Sequence, residues 1–159
     1  MPSPPQVGEP APAFSVPGHD RETVVLADFQ GRNIVLFFFP KSDTSGCTKE
    51  ALAFSALRSA FDAADTAILG VSADAPDMQA RFRNKYQLDL AFVADEQHQI
   101  LKPYGVWVEK SMYGRKYWGV ERATFLIDRT GTITHIWRNV KVPGHAEEVL
   151  AAAQAVNRK

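Results

Sequence analysis

Residues 33–40, NIVLFFFP, constrain the fold more than any other stretch of this chain. Six consecutive apolar side chains, Ile34 to Phe39, leave no polar face, and the run lies between the Gln30-Gly31 turn signal and Pro40. A strand half-exposed to water would alternate apolar and polar residues. A run that is apolar on both faces belongs in the middle of a covered sheet, the usual setting of parallel strands. Covering both faces takes a large core. With 159 residues the chain can form one domain that buries about 70% of its unfolded surface, without disulfide or metal staples.

The flanking periodicities supply the layers. After the strand, Ala51, Phe54, Leu57, Phe61 and Ala64 recur at spacings of three and four, one face of a helix. Residues 67–71 (AILGV) read as a second apolar strand, and Pro76 opens a second helix in which Met78, Phe82 and Tyr86 recur every four residues. Residues 23–26 and 91–93 read as short strands, and 97–104 as a short helical turn before Gly105. Residues 123–128 and 132–137 read as a hairpin with Gly131 in its turn. Ala146, Val149, Leu150, Ala153 and Val156 mark a terminal helix after Pro143-Gly144. This order predicts an α/β protein with a mixed central β-sheet flanked by helices on both faces, a thioredoxin-like fold, although other α/β folds share the order. Pro2, Pro4, Pro5, Pro10 and Pro12 exclude helix near the start. Residues 1–6 are expected as an extended proline-rich tail and 7–159 as a single domain. Lys110, Arg115 and Lys116 interleave with Tyr113, Tyr117 and Trp118; this stretch reads as an exposed loop.

Charge and composition exclude several functions. Eighteen basic residues against eighteen acidic ones leave no net charge, so no whole-molecule field draws nucleic acid or anionic lipid. No apolar run can span a bilayer and no signal-peptide pattern opens the chain; the expectation is a cytoplasmic protein. Cys47 is the sole cysteine, so neither an intramolecular disulfide nor a cysteine-based zinc site can form. His19, His98, His135 and His145 lack metal-ligand spacing, and the SADAPD stretch lacks the glycine and glutamate of a calcium loop. No metal and no cofactor are expected.

The chemistry-bearing segment is 40–50, PKSDTSGCTKE, between the buried strand and the first helix. Open α/β sheets bind ligands beyond the carboxyl ends of their strands. Cys47 falls in the first helical turn, where unpaired N–H groups and the positive end of the dipole favour an anion. Such a setting lowers a thiol pKa from about 8.5 into the range of about 3.5–7.5. A fall to about 6 raises the thiolate fraction at neutral pH by roughly thirtyfold, or about 2 kcal/mol. Enzymes accelerate reactions by about a millionfold or more, so a catalytic Cys47 also needs neighbours that stabilise the transition state. The Thr44 hydroxyl and the amides of Gly46 and Cys47 can converge on one point, and Gly46 allows close approach to the backbone. Pro40 can shield the thiol, and Arg122, before the apolar strand TFLI, is the best candidate for a cation that holds the thiolate. Each residue has a plainer reading. Cys47 can be a small buried hydrophobe, Thr44 or Ser45 an N-cap, Glu50 a first-turn charge favoured by the dipole, and Arg122 a solvated strand-end residue.

The same residues carry a resemblance. Proline, three residues, threonine, two residues, cysteine falls here on Pro40, Thr44 and Cys47, and FFFPKSDTSGCTKEA resembles the active-site segment of the peroxiredoxins. The lysine after the proline, the GCT and Glu50 resemble the PrxQ subgroup, also called bacterioferritin comigratory protein. VGEPAPAF, YGVWVEKSMYGRKYWGVERATFLID and WRNVKVPGHAEEVL extend the match over nearly the whole chain. The resemblance implies a thiol-dependent peroxidase that reduces hydrogen peroxide and organic hydroperoxides. Cys47 is its peroxidatic nucleophile, Thr44 bonds the peroxide, Pro40 shields the thiol, Arg122 holds thiolate and peroxide, and Glu50 orients Arg122. Where members of the subgroup carry a resolving cysteine, this chain has Leu52, or Phe82 and Arg83 in the second helix, and Ser45 stands for a frequent proline. It resembles a one-cysteine variant, whose sulfenic acid must be resolved by an outside thiol: glutathione, a glutaredoxin, thioredoxin or Cys47 of a second copy. The expected state is a monomer, with a Cys47-linked dimer as one oxidised form. The competing class is a non-catalytic redox sensor or binding module, oxidised stoichiometrically at Cys47. A disulfide oxidoreductase would need a second active-site cysteine.

Overall fold

The computed structural model describes residues 4–157. Residues 1–3 of the expected tail lie outside the described residues. Pro5 is buried, and Pro4 packs against Gly105. Further on, Gly8 and Ala11 donate to the carbonyls of Ile133 and Gly131, and the Tyr104 hydroxyl donates to that of Pro12.

The central sheet is built on β3 (Asn33–Phe38), buried along its whole length. It pairs in parallel with β4 (Thr66–Ser72), which pairs in parallel with β5 (Ala91–Ala94). On its other side β3 pairs antiparallel with β8 (Ala123–Ile127), and β8 with β9 (Ile133–Trp137), giving the order β5-β4-β3-β8-β9. Side chains alternate across β3 with the period of two that a strand dictates. Val35, Phe37 and Phe39 join one core cluster with the buried faces of α1 (Ser45–Ala56), α2 (Arg58–Ala63), α3 (Pro76–Lys85) and α4 (His145–Val156). Ile34, Leu36 and Phe38 join the other, with Val16, Leu26, Leu101 and Tyr104. So α-helices cover one face. The second face is covered by a 3-10 helix (Leu26–Phe29), the hairpin of β1 (Ser15–Pro17) and β2 (Thr23–Val25), and the turns before Gly105.

Gly70 is where the sheet is tightest. It sits in β4 between Phe37 and Phe92, and a Cβ there would come within 2.7 Å of Phe92 and 2.8 Å of Phe37. Only glycine lets both rings close over the strand.

The structure departs from the sequence reading in several places. The expected exposed loop is a hairpin of β6 (Trp107–Met112) and β7 (Arg115–Val120), turned by Tyr113-Gly114 with both residues at positive φ. That is the two-residue turn that matches strand twist; a tyrosine in its first position and the scattered cations hid it. The helical stretch expected from Cys47 onward breaks at Leu57, with no glycine or proline to signal the break. In α3 the buried face runs through Pro76, Gln79 and Phe82, and Met78 is 38% exposed. Gln79 is buried because its amide donates to Ser72 Oγ and the Val93 carbonyl, a polar tether that apolar periodicity does not register. Residues 97–104 wind through successive turns that include the helical bonds of Lys102 to the His98 carbonyl and Tyr104 to the Ile100 carbonyl, capped by the Asp95 carboxylate, which accepts from the amides of Gln99, Ile100 and Leu101.

Candidate active site

The helix-side row of β3 is continued by Phe39, one residue past the strand, and the chain turns through half-buried Pro40 into the loop before α1. Asp74, just beyond β4, holds this loop: its Oδ2 accepts from the Ser42 amide at 2.8 Å, the Ser42 hydroxyl at 2.7 Å and the Ser72 hydroxyl at 2.8 Å. A second clasp lies outside. Asp43, at φ +63, accepts from the Lys85 ammonium and the Tyr86 hydroxyl, which hold its carboxyl below the usual range. Sequence reading missed Asp74, Lys85 and Tyr86; the only signal was a Ser-x-Asp directly after a buried strand.

Thr44 is the backbone N-cap of α1, and its carbonyl accepts from the amide and hydroxyl of Thr48. Its side chain does not cap the helix, correcting that plainer reading. The hydroxyl donates to the Lys41 carbonyl at 2.8 Å, so its oxygen retains acceptor capacity. The first-turn amides of Ser45, Gly46 and Cys47 have no preceding helical carbonyl to bond. Cys47 is 1% exposed and packed among Phe37, Phe39 and Phe54 in the helix-side core.

Arg122 reaches this cysteine from the short link between β7 and β8. The link is held on both sides: the Glu121 amide donates to the Val106 carbonyl, and the Arg122 carbonyl accepts from the Val140 amide. Arg122 Nη2 donates to Cys47 Sγ at 3.3 Å, and Nη1 donates to Glu50 Oε1 at 2.7 Å. Gly46 makes the approach possible, since a Cβ there would lie 3.2 Å from Nη2. Glu50 lies three residues beyond Cys47 on the same buried helix face. Burial raises its pKa from 4.5 to about 7 against the charge and hydrogen bond of Arg122, and among the described residues Oε2 has no partner. Burial alone would loosen the Arg122 proton; Glu50 and Cys47 reverse that and hold its pKa above the usual arginine range. The structure therefore brings Cys47, Arg122, Glu50 and Gly46 into contact, with Thr44 and Pro40 on the adjoining loop.

Nearby, buried His145 opens α4 and its Nε2 hydrogen-bonds the Thr124 hydroxyl at 2.8 Å. Burial lowers its pKa. Among the described residues no group of three or more His, Cys, Asp and Glu side chains could hold a metal ion, and no helix is long and apolar enough to cross a membrane.

A buried cysteine in a first helical turn, bonded by an arginine that a buried glutamate holds, fits nucleophilic thiol chemistry with charge stabilisation built in. Comparison with known proteins agrees. The AhpC/TSA family model matches residues 7–136. Peroxiredoxin Bcp of Bacillus subtilis is 38% identical over 154 residues, covering 97% of this chain and 98% of that one. A solved structure of Xylella fastidiosa PrxQ superposes with a TM-score of 0.91 at 34% identity, covering 97% and 98%. The Xanthomonas campestris bacterioferritin comigratory protein, solved in a study of its alkyl peroxide reduction activity, superposes at 0.86 with 37% identity over 91% and 92%. On this sequence, fold and geometry, the chain belongs to the AhpC/TSA family, in its Bcp/PrxQ peroxiredoxin branch.

Proposed function

We propose that this single domain, residues 7–159, reduces hydroperoxides through Cys47 at the expense of an outside thiol. The observation that carries the reading is the guanidinium of Arg122, fixed by Glu50 and bonded to Cys47 Sγ. The Cys47 thiolate attacks the near oxygen of the peroxide. The O–O bond breaks, the far oxygen leaves as hydroxide or alkoxide and takes a proton, and Cys47 becomes a sulfenic acid. Negative charge moves from sulfur to the departing oxygen, beside a guanidinium already ordered for it. The Thr44 oxygen accepts the peroxide O–H, the first-turn amides steady the attacked oxygen, and Pro40 keeps bulk water from the thiol.

The sulfenic acid has no second thiol within the chain. At the positions named above, Leu52 is exposed on α1, Phe82 is buried, and Arg83 donates to the Leu90 carbonyl. An outside thiol therefore attacks the sulfenic sulfur, water leaves, and a second thiol releases the mixed disulfide. Thioredoxin, a glutaredoxin and glutathione are the reductants to test, with Cys47 of a second copy giving a linked dimer. Such a cycle suits a reducing cytoplasm. Because Cys47 is buried, the first turn of α1 has to open for the reductant, so hydrogen exchange over 44–52 should quicken after oxidation.

The burial of Cys47 also favours a second reading, a sensor oxidised once and reduced slowly. Rapid mixing with one equivalent of hydrogen peroxide, quenching and intact-mass analysis test both. The peroxidase reading expects fast gain of one oxygen, absent in Cys47→Ser, and its reversal by one of the thiols. Oxidation no faster than that of a free cysteine overturns it. Fast oxidation without sustained turnover on any thiol leaves the sensor.

A further inference from the structure

One face of the β6–β7 hairpin carries a cation that has no partner among the described residues. Opposed residues of an antiparallel pair share a face, so Val108, Lys110 and Met112 stand beside Gly119, Tyr117 and Arg115. Lys116 and Glu109 occupy the opposite face, where they pair at 3.8 Å. The Lys110 stem lies over the notch that Gly119 leaves, since a Cβ there would meet its Cδ at 3.4 Å and its Cε at 3.6 Å. Lys110 is thereby half-buried, while the tip residue Tyr113 is 97% exposed.

The ammonium is within electrostatic range of Arg122, Cys47 and Glu121, yet among the described residues it has no hydrogen-bond or ion-pair partner. Its neighbours are committed elsewhere. Arg122 serves Glu50 and Cys47, and Glu121 serves Arg138 and the Asn139 amide. Burial, with Arg122 adding to it, pulls the Lys110 pKa below the ordinary lysine range against Cys47 and Glu121. A half-desolvated cation without a counter-ion is what an arriving anion relieves.

We propose that Lys110 is a specificity residue that receives the carboxylate of an organic hydroperoxide whose peroxide end reaches Cys47, with Tyr117, its cross-strand partner, beside the carbon chain. This rests on the peroxidase reading and adds the class of peroxide. If Lys110 instead only strengthened the field at Cys47, it would speed attack on every peroxide alike.

The test compares a tertiary hydroperoxide bearing a carboxylate on a short chain with its methyl ester, reading kcat/KM for each. The wild type should favour the acid, and Lys110→Met should lower the acid-to-ester ratio by about five- to tenfold. Lys110→Arg should restore it, and the wild-type preference should fade as salt is raised. Lys116→Met makes the same charge change on the opposite face and should leave the ratio alone. A ratio unaltered by Lys110→Met, or lowered equally by Lys116→Met, overturns the subsite while the peroxidase stands. A wild type that consumes neither compound overturns the peroxidase reading and the subsite with it.

Discussion

Replacing Glu50 by Gln removes a titration while keeping an acceptor for Arg122. The carboxyl is 1% exposed, one oxygen accepts from Arg122 at 2.7 Å, and the other is unpartnered among the described residues. Burial outweighs the guanidinium and lifts the pKa from 4.5 to about 7. At roughly 1.4 kcal/mol per pKa unit, a difference of about 2.5 corresponds to about 3.5 kcal/mol. The folded protein holds this proton more tightly than the unfolded chain. Its contribution to stability is therefore fully present below about pH 4.5 and is lost as the pH rises through about 7. Glutamine has no proton to lose, so Glu50→Gln lacks this decline. His145 runs the other way: burial lowers its pKa, so its contribution is lost as the pH falls below the ordinary 6.5. It is present in both proteins and cancels in the comparison. Urea midpoints of the reduced proteins at several values between about pH 5 and pH 8 measure the difference. The wild type should lose about 2.5 kcal/mol relative to the variant across that span. Parallel profiles would show that Glu50 stays ionised when folded and that Arg122 outweighs its burial, refuting the reasoning.

Arg122→Met removes the donor to Cys47 and should slow its oxidation by about 10²–10³-fold, read by stopped flow; an unchanged rate would take Arg122 out of the chemistry. Glu50→Gln, which leaves Nη2 on the sulfur, should slow it less. Gly70→Ala drives a methyl group against Phe37 and Phe92 and should destabilise the fold by about 1–3 kcal/mol in urea melts, through overpacking. An unaltered midpoint would mean that the two rings move aside freely. Asp74→Ala leaves the Ser42 and Ser72 donors unpaired and should cost about 2 kcal/mol, with faster amide exchange at 41–46; protection equal to the wild type would show that Asp43 alone holds the loop.

Much of the fold was legible because it rests on short periods. The apolar run at 34–39 marked a doubly covered strand, and spacings of three and four marked α1 and α4. Pro76 stands at the start of α3 and Gly144 at the N-cap of α4. Within α3 the same logic misplaced Met78, because Gln79 is drawn inward by hydrogen bonds that its amide donates to Ser72 Oγ and the Val93 carbonyl, which no spacing announces. The β6–β7 hairpin went unread because Lys110 and Arg115 interrupt one face and Glu109 and Lys116 the other, so apolar alternation never appears.

By itself the sequence determined the central strand, the class of fold, and the placing of Pro40, Thr44 and Cys47 on one local segment where a strand hands over to a helix. It also determined that no second thiol within the chain can resolve Cys47. Tertiary structure decided what that cysteine meets. Arg122 lies 75 residues from Cys47 and 72 from Glu50 along the chain, and only the antiparallel pairing of β8 with β3 brings it to the first turn of α1. The loop's anchorage on Asp74 and, among the described residues, the unpartnered carboxyl oxygen of Glu50 and the unpaired ammonium of Lys110 are likewise products of packing. Periodicity reports which face a residue turns inward; which residue waits there depends on how distant elements dock, and one chain's local pattern does not encode that.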